Sequence, residues 1–345
     1  MSATTLFVLF GGQSAEHDVS CVTAKHVLDA IRQDRYTVIP VGISRGGAWS
    51  IASIDPDADA LDPTGRPIDP FSLFADAAEH GVVLPLLHGP LGEDGTVQGL
   101  CELTGISYVG AGVLGSALTM DKIAAKNALA AAGVPQARWV GFNADQITEA
   151  TATSLLERFG SPIFVKPANM GSSVGVSRAI TTEDVSGALD VAASYDEWIV
   201  VEEAIAGREI EISVLGNRSP RTSLPGEIVA GDEFYTYEDK YNDGIAKLLI
   251  PAPLNDAEIA EISEMAIAAY RALRVEGLAR ADFFYEPEGR GWLVNELNTM
   301  PGFTPISMYP KMWNASGLDY PDLIDELIEL ALERHKRRRR KTDIS

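Results

Sequence analysis

Short apolar runs alternate with helix-patterned segments over the first 120 residues, and this alternation restricts the fold more than any other feature. Residues 6–10 predict a buried strand, residues 16–31 a helix, and residues 38–43 and 82–87 two further strands. Strands that alternate with helices form a parallel sheet covered by helices. The sequence therefore predicts an N-terminal α/β domain whose ligand crevice lies at the carboxyl ends of its strands.

Two polar loops follow strands of this predicted sheet. Residues 11–18, GGQSAEHD, come after the first strand and open a helix, so their N–H groups are expected to face the crevice. Glu16 could hold an ammonium group there, but taken alone it is better explained by simple charge complementarity at a helix N-terminus. Residues 88–95, HGPLGEDG, form the same kind of loop after another strand.

Residues 110–115, GAGVLG, fit the dinucleotide fingerprint G-x-G-x-x-G. A dinucleotide site also needs an acidic residue about 20 positions later to hold a ribose. Residues 125–143 contain no Asp or Glu, and the motif does not follow the first strand. A nicotinamide-dependent oxidoreductase is therefore the disfavoured alternative.

A phosphate site is predicted at residues 166–175, KPANMGSSVG, where a lysine ends a strand and a Gly/Ser-rich loop follows. Backbone N–H groups and hydroxyls of such a loop can surround phosphate oxygens while the lysine supplies charge. An ordinary mobile loop is the alternative interpretation.

A predicted hairpin near the C-terminus carries a cluster of oxygen ligands. A turn centred on Gly289 places Asp282 opposite Glu296, and Arg280 opposite Asn298, on one side of the two strands. Opposed carboxylates repel unless a proton or a cation lies between them. Because oxygen ligands suit Mg²⁺, we predict a metal site here rather than a solvated sheet face with an incidental Arg–Asp pair.

The net charge of −21 over 345 residues argues against a broad nucleic-acid interface. Seven basic residues nevertheless lie between positions 334 and 341. They predict a solvated, frayed tail whose removal from residue 336 onward leaves activity essentially unchanged, with contact to nucleic acid or anionic lipid as the alternative. No apolar run reaches 18 residues, so no membrane span and a cytoplasmic location are expected.

Taken together, these segments resemble the D-alanine–D-alanine ligases of the ATP-grasp superfamily. The resemblance extends from Leu9 to about Glu333, and its order and spacing are specific. The runs that carry it are LFGGQSAEHDVS, LLHGPLGEDGTVQG, MDKIAAK, VKPANMGSSVGVS, EEAIAGREIE, YEDKY, ARADFF and NELNTMPGFTPISMYPK.

The resemblance implies an α/β, three-domain ATP-grasp architecture with an N-terminal Rossmann-like domain. The expected domains are residues 1–121, residues 122–213 and residues 214–345, with ATP between the second and the third. The implied activity is the joining of two D-alanines through an acylphosphate, for peptidoglycan precursor synthesis. The implied cofactors are ATP and two Mg²⁺ ions, with Mn²⁺ able to substitute, and a homodimer is expected.

The resemblance also implies roles for particular residues. The implied catalytic residues are Glu16, Ser172, Tyr241, Arg280 and Gly302. Nucleotide contacts are implied for Lys122, Lys166, Ser173, Glu202, Ile205, Glu209, Lys240 and Phe284. The D-alanines would meet Glu16, His88, Arg280, Ser307 and Met308, and the metal ligands would be Asp282, Glu296 and Asn298.

In more detail, three lysines (Lys122, Lys166 and Lys240) are implied to reach the phosphates. Glu202 and Ile205 would line the adenine pocket, with Glu209 at the ribose. Arg280 and the backbone of Gly302 would hold the oxyanion. A ligase that takes D-lactate or D-serine as second substrate is the alternative within the superfamily, and a non-catalytic binding protein is disfavoured by the full set of metal ligands.

Overall fold

The protein is described by a computed structural model that covers residues 4–229 and 247–338. In this part of the chain the strands form three sheets. The strands are β1 (Thr4–Gly11), β2 (Tyr36–Ile43), β3 (Trp49–Ala52), β4 (Gly65–Pro67), β5 (Gly81–Pro85), β6 (Ser107–Tyr108), β7 (Trp139–Asn143), β8 (Ile163–Pro167), β9 (Ser177–Ala179), β10 (Trp198–Glu203), β11 (Arg208–Gly216), β12 (Arg221–Thr222), β13 (Gly226–Val229), β14 (Lys247–Leu249), β15 (Gly277–Glu286) and β16 (Gly291–Asn298).

Helices pack against these sheets and cover their apolar sides. The α-helices are α1 (His17–Ala30), α2 (Pro70–Asp76), α3 (Thr96–Thr104), α4 (Val113–Met120), α5 (Lys122–Ala131), α6 (Thr151–Phe159), α7 (Thr182–Tyr195), α8 (Asp256–Ala272), α9 (Met308–Ala315) and α10 (Tyr320–Arg338). A short 3₁₀ turn spans Ala144–Gln146.

The first sheet has the strand order β4-β3-β2-β1-β5-β6, and β2, β1, β5 and β6 run parallel. Its central strand β1 is apolar from Leu6 to Phe10, and all five side chains are buried. A strand covered on both faces requires such a continuous apolar run. The prediction of an N-terminal α/β domain with a parallel sheet is confirmed.

The second and third sheets are antiparallel. The second has the order β7-β10-β8-β9, and the third has the order β14-β13-β11-β15-β16 with β12 beside β11. The domain boundary expected after residue 213 falls inside β11, which pairs with β15 along Arg208–Gly216. The sheets themselves divide between β10 and β11, in the segment 204–207.

The hairpin of β15 and β16 has the predicted register at the residues that were predicted to bind metal. Asp282 lies opposite Glu296, and Arg280 lies opposite Asn298. Nearer the turn the pairing is shifted by one residue, with Phe283 opposite Val294, so Gly289 is not the centre of symmetry for the whole hairpin. A β-bulge at residue 295 absorbs the difference, because one extra residue in one strand moves every later pair by one position.

The C-terminal helix corrects the expectation of a frayed basic tail for residues 334–338. Helix α10 continues through Arg338. Arg334 is only 3% exposed, and its guanidinium donates to the carbonyl groups of Tyr108 and Gly110. Its guanidinium carbon Cζ lies 4.2 Å from the centroid of the Tyr108 ring. Sequence composition could not reveal this because the acceptors are more than 220 positions away in the chain.

Candidate active site

A cavity of about 230 Å³ lies between the second and third sheets, and most of the predicted nucleotide and metal residues line it. Its wall receives side chains from β8, β10, β11 and the β15–β16 hairpin. The predicted residues that line it are Lys122, Lys166, Ser172, Ser173, Glu202, Ile205, Glu209, Arg280, Asp282, Phe284, Glu296 and Asn298. The fold thus brings together residues that span 177 positions, from 122 to 298.

The hairpin forms the acidic part of this cavity. Arg280 donates to both oxygens of Asp282, from Nε and from Nη2, at 2.7 Å each. Asn298 Nδ2 donates to Asp282 Oδ2 at 2.9 Å, and Arg280 Nε also lies 3.1 Å from Glu211 Oε2. Glu211 was not among the predicted residues. Its position on β11, opposite Asp282, places it in the same cluster.

These oxygen donors fit a divalent ion of the Mg²⁺ type. Two carboxylates and one amide converge beside a cavity lined by lysines, and Mg²⁺ binds few protein oxygens while phosphates and waters complete its shell. Among the described residues, no three His, Cys, Asp or Glu side chains meet as a metal-binding group. The amide of Asn298 lies opposite Arg280 and donates to Asp282, and it can add its oxygen to the candidate ligand set after rotation about the last side-chain torsion.

Lys122 and Lys166 form the basic part of the cavity wall, and a third lysine, Lys126, is buried beside them. Asp121 caps α5 by accepting from Ala124 N at 2.8 Å, and this places Lys122 in the first turn of the helix. Lys122 Nζ donates to the carbonyl of Met170 at 2.6 Å, so it holds the Gly/Ser loop. Burial lowers the pKa of Lys122.

Glu202 lies between two of these lysines. Its Oε1 is 2.5 Å from Lys126 Nζ, and its Oε2 is 2.5 Å from Lys166 Nζ. Burial alone would raise the pKa of Glu202, but the two ammonium groups outweigh it and lower that pKa to about 2. Burial also opposes the charge of Lys166, and the carboxylates of Glu202 and Glu296 reverse the effect and raise its pKa. Lys126 was not predicted as a site residue.

Glu16 connects the first sheet to the Gly/Ser loop. It is 8% exposed, it makes no side-chain capping hydrogen bond to α1, and its Oε1 accepts from Ser172 Oγ. Ser172 and Ser173 have φ angles of 48° and 59°, a left-handed conformation that non-glycine residues rarely adopt. Glu16 is also the N-cap residue of α1, so the helix N-terminal position that underlies the alternative interpretation is present as well.

His88 and Glu93 hold the backbone of one residue, Met300, in the segment that follows the hairpin. Glu93 accepts from Gly89 N at 2.8 Å and from Met300 N at 3.2 Å, while His88 Nδ1 lies 3.1 Å from the carbonyl of Met300. Because a carbonyl only accepts, Nδ1 carries the proton. Burial and the carboxylate of Glu16 raise the pKa of Glu93 to about 8, and burial lowers the pKa of His88. Sequence analysis placed His88 in the site but missed Glu93.

Residues 302–308 connect this peptide to helix α9. A Cβ added at Gly302 would lie 3.1 Å from Ser307 Oγ, so a side chain at position 302 would press on Ser307. Ser307 is the N-cap residue of α9 and makes no side-chain capping bond, because its Oγ is held by Thr304. The side chain of Met308 packs with Ile228 and Met312, so only its backbone is available to a ligand.

Two predicted residues, Lys240 and Tyr241, lie outside the described residues. The glycines of residues 110–115 have structural roles instead of a dinucleotide role. A Cβ at Gly277 would lie 3.0 Å from Gly110 Cα, and one at Gly115 would lie 2.8 Å from the carbonyl oxygen of Arg274. Across residues 4–229 and 247–338, no helix combines the length and the apolar character that a membrane crossing requires.

Comparison with known proteins identifies the class to which this fold and site belong. Residues 5–111 match the family described as D-ala D-ala ligase N-terminus, and residues 128–329 match D-ala D-ala ligase C-terminus. The D-alanine–D-alanine ligase of Bacillus velezensis is 46% identical over 345 residues, which cover 95% of this chain and 97% of that protein.

Two solved structures superpose on the chain over almost its whole length. The D-alanine–D-alanine ligase of Coxiella burnetii aligns with a TM-score of 0.81 and 35% identity, covering 98% of this chain and 96% of that chain. The D-Ala:D-Ser ligase VanG of Enterococcus faecalis also aligns with a TM-score of 0.81, at 33% identity, covering 96% of this chain and 100% of that chain. The architecture is that of an ATP-grasp enzyme. The chain belongs to the D-alanine–D-alanine ligase family.

Proposed function

We propose that this protein joins two D-alanines to D-alanyl-D-alanine at the expense of ATP, releasing ADP and phosphate, and so supplies a peptidoglycan precursor. The observation that carries the proposal is the cavity in which the Asp282–Glu296 pair faces Lys122 and Lys166. A carboxylate is a poor electrophile, so it must be phosphorylated before an amine can attack it. Lysines beside oxygen ligands for a divalent ion are suited to that phosphoryl transfer.

For the nucleotide, we propose phosphate contacts from Lys122, Lys166, Ser173 and Lys240. Glu202, Ile205 and Phe284 would surround the adenine, and Glu209 would bind the ribose. The proposed ligands of two Mg²⁺ ions are Asp282, Glu296 and Asn298, with Mn²⁺ able to substitute. A bound divalent ion would neutralise charge on the transferring phosphoryl group.

For the first D-alanine, the proposal assigns Glu16 to the ammonium group and Arg280 to the carboxylate. The carboxylate oxygen attacks the γ-phosphorus, the bond to ADP breaks, and an acylphosphate forms. His88 supports this subsite by fixing the peptide at Met300. Arg280 and the N–H of Gly302 then stabilise the oxyanion that develops when the acylphosphate is attacked.

For the second D-alanine, the proposal uses the start of α9. Ser307 and the backbone N–H groups of Met308 and Tyr309 lie at a helix N-terminus, which favours a carboxylate. The free amine of this substrate attacks the acylphosphate carbon, and phosphate leaves with the bonding electron pair. The Ser172 loop and Tyr241 are proposed to close over the reacting groups and exclude water, which would otherwise hydrolyse the acylphosphate.

The domain assignment and the cellular setting are also proposals. The three sheets support three domains, with the second ending near residue 204 rather than at 213. A homodimer is supported by two exposed leucines on neighbouring helices, Leu103 on α3 and Leu114 on α4, which are 78% and 56% exposed. Light scattering after size-exclusion chromatography measures the oligomeric state. A cytoplasmic location follows from the need for ATP.

The test is phosphate release from ATP with D-alanine, D-serine or D-lactate as second substrate, with products identified by mass. We expect D-alanyl-D-alanine as the main product at neutral pH. The D-serine arm is needed because VanG and the Coxiella burnetii ligase superpose on this chain equally well, so the backbone does not discriminate the second substrate. Glu296→Gln is the matched control, and it should retain the fold and lose Mg²⁺-dependent turnover. A product in which D-alanyl-D-serine or D-alanyl-D-lactate exceeds D-alanyl-D-alanine would overturn the substrate assignment.

A further inference from the structure

Lys126 is a buried cation that the proposed reaction leaves without a role. It lies on α5, one turn after Lys122, and is 3% exposed. Its Nζ is 2.5 Å from Glu202 Oε1, while the other oxygen of the same carboxylate is 2.5 Å from Lys166 Nζ. A lysine is almost never buried unless it is paired, so the position requires an explanation.

The strand register explains how Lys166 and Glu202 meet. On the paired strands β8 and β10, Lys166 lies opposite Val200, and Glu202 lies opposite Phe164. Lys166 and Glu202 are therefore diagonal neighbours on one face of the sheet. Lys126 reaches the same carboxylate from the helix above that face. The side chains of Lys126 and Glu202 are 4% and 5% exposed, whereas that of Lys166 is 14% exposed and lines the cavity.

The charges of the three groups have a direct consequence for an anionic ligand. If Lys166 alone faced Glu202, the pair would be neutral, and the carboxylate would offset the attraction of Lys166 for phosphate. With Lys126 present, one ammonium compensates the carboxylate and the cluster keeps a net charge of +1. At this burial the interaction is poorly screened by solvent, so one unit of charge matters.

We propose that Lys126 is a positioning residue for phosphate binding, which acts through Glu202 and keeps the charge of Lys166 available to the nucleotide. This proposal rests on the proposed ATP-dependent function. It assigns Lys126 no contact with substrate. Lys126 compensates the charge of the Glu202 carboxylate. It also holds that carboxylate in the position where it pairs with Lys166.

The experiment measures the binding of ATP and of inorganic tripolyphosphate, which has the phosphates but no base. We expect Lys126→Met to weaken both ligands by about tenfold, the size of effect that one charge-assisted contact carries. KM for ATP should rise, and KM for D-alanine should stay within about twofold of wild type. Tripolyphosphate separates this effect from any contact between Glu202 and adenine.

Lys25→Met is the matched control. Lys25 is also a buried lysine on a helix, with its side chain 9% exposed, and it pairs with Asp29 at 2.6 Å in the N-terminal domain. Its substitution should leave the binding of both ligands unchanged. Thermal unfolding of each variant shows whether a loss of binding reflects a loss of structure.

A double-mutant cycle with Glu202→Gln tests whether Lys126 affects phosphate binding through Glu202. In the Glu202→Gln background, Lys126→Met should weaken tripolyphosphate binding by about twofold or less, because no carboxylate is left to compensate. This comparison also serves if Lys126→Met alone unfolds, since removing both charges avoids an unpaired buried carboxylate. Unchanged tripolyphosphate binding in folded Lys126→Met, or an equal effect in both backgrounds, overturns the proposal. Failure of the wild type to bind ATP would instead reject the proposed function.

Discussion

Two clusters of three cations, each with one buried member, have almost the same pattern of contacts and different surroundings. The lysine cluster consists of Lys122, Lys126 and Lys166, and the arginine cluster consists of Arg334, Arg337 and Arg338. In each cluster one cation donates to backbone carbonyls, as Lys122 does to Met170 and Arg334 does to Tyr108 and Gly110. In each, the other two cations share one carboxylate, Glu202 or Glu276.

The difference lies in what the cations face. Two members of the lysine cluster, Lys122 and Lys166, line the cavity between the second and third sheets, and compact ammonium groups leave room there for a ligand. The arginine cluster joins α10 to the end of the first sheet and to Glu276, just before β15, and the guanidinium of Arg334 lies over the Tyr108 ring. Burial of positive charge therefore does not by itself mark a binding site. The cavity beside the charge is what distinguishes the lysine cluster from the arginine cluster.

The largest expected effect is on the lysine cluster. Lys166→Met should lower turnover by about 10²–10³-fold, because a preorganised charge beside the transferring phosphoryl group is lost. Thermal unfolding should shift by only a few degrees. Phosphate release under saturating D-alanine measures the loss. If the variant instead unfolded while the remaining folded fraction turned over normally, the lysine cluster would be structural, like the arginine cluster.

The converse experiment is Arg334→Met. The carbonyl groups of Tyr108 and Gly110 would lose their buried donor, and we expect the free energy of unfolding to fall by about 2–4 kcal/mol. Urea denaturation measures this loss. kcat and KM per folded molecule should match wild type below the transition. A variant with normal stability and impaired turnover would show that the arginine cluster also contributes to activity, so the two clusters would not differ in that respect.

Two truncations separate the helical end of the chain from the residues that follow it. A chain ending at Arg338 keeps the contacts of Arg337 and Arg338 with Glu276, whereas a chain ending at His335 loses them. We expect the shorter chain to be less stable than the longer one by about 1 kcal/mol, because these pairs are partly exposed. The comparison uses Tm at low ionic strength. Equal Tm values would show that the contacts of Arg337 and Arg338 do not stabilise the fold. Unchanged phosphate release by the shorter chain would confirm the expectation that residues 336–345 are dispensable for activity.

The smallest expected effect is a pH dependence of stability that belongs to the lysine cluster. The pKa of Glu202 is about 2 in the folded protein, below its ordinary value of 4.5. The stabilisation by its ionised form is therefore present above pH 4.5 and is lost as the pH falls towards 2. The Tm difference between wild type and Glu202→Gln should narrow over that interval. A constant difference from pH 5 to pH 2 would show that the ionisation of Glu202 does not stabilise the fold.

The local parts of the site were predictable from the sequence. Alternation along two strands joined by a short turn places Asp282 opposite Glu296, because neighbouring strands leave few registers. The pairing of Asp282 with Glu296 is as predicted, although the turn is not centred on Gly289. The bulge at residue 295 compensates for the displacement of the turn. The position of Lys166 near the end of a strand, before the Gly/Ser-rich loop, was also predictable, and the phosphate role of this segment stays a prediction.

The parts that sequence patterns missed depend on residues distant along the chain. Glu93 received no role because nothing near it in sequence shows that its partner is the N–H of Met300. Lys126 looked like an ordinary helix residue until the fold placed it against Glu202. The charged run from Arg334 onward indicated a solvated tail because composition reports charge and not the acceptors that satisfy it.

The sequence by itself therefore determined the strand–helix alternation, the hairpin register and the loops that carry charge and N–H groups. These follow from interactions between residues close together in the chain, where backbone geometry restricts the arrangement. The tertiary structure decided which buried charges share a carboxylate, and whether a cavity lies beside them. The physical reason is that the free energy of a buried ion depends on every group packed around it, and those groups come from all three sheets.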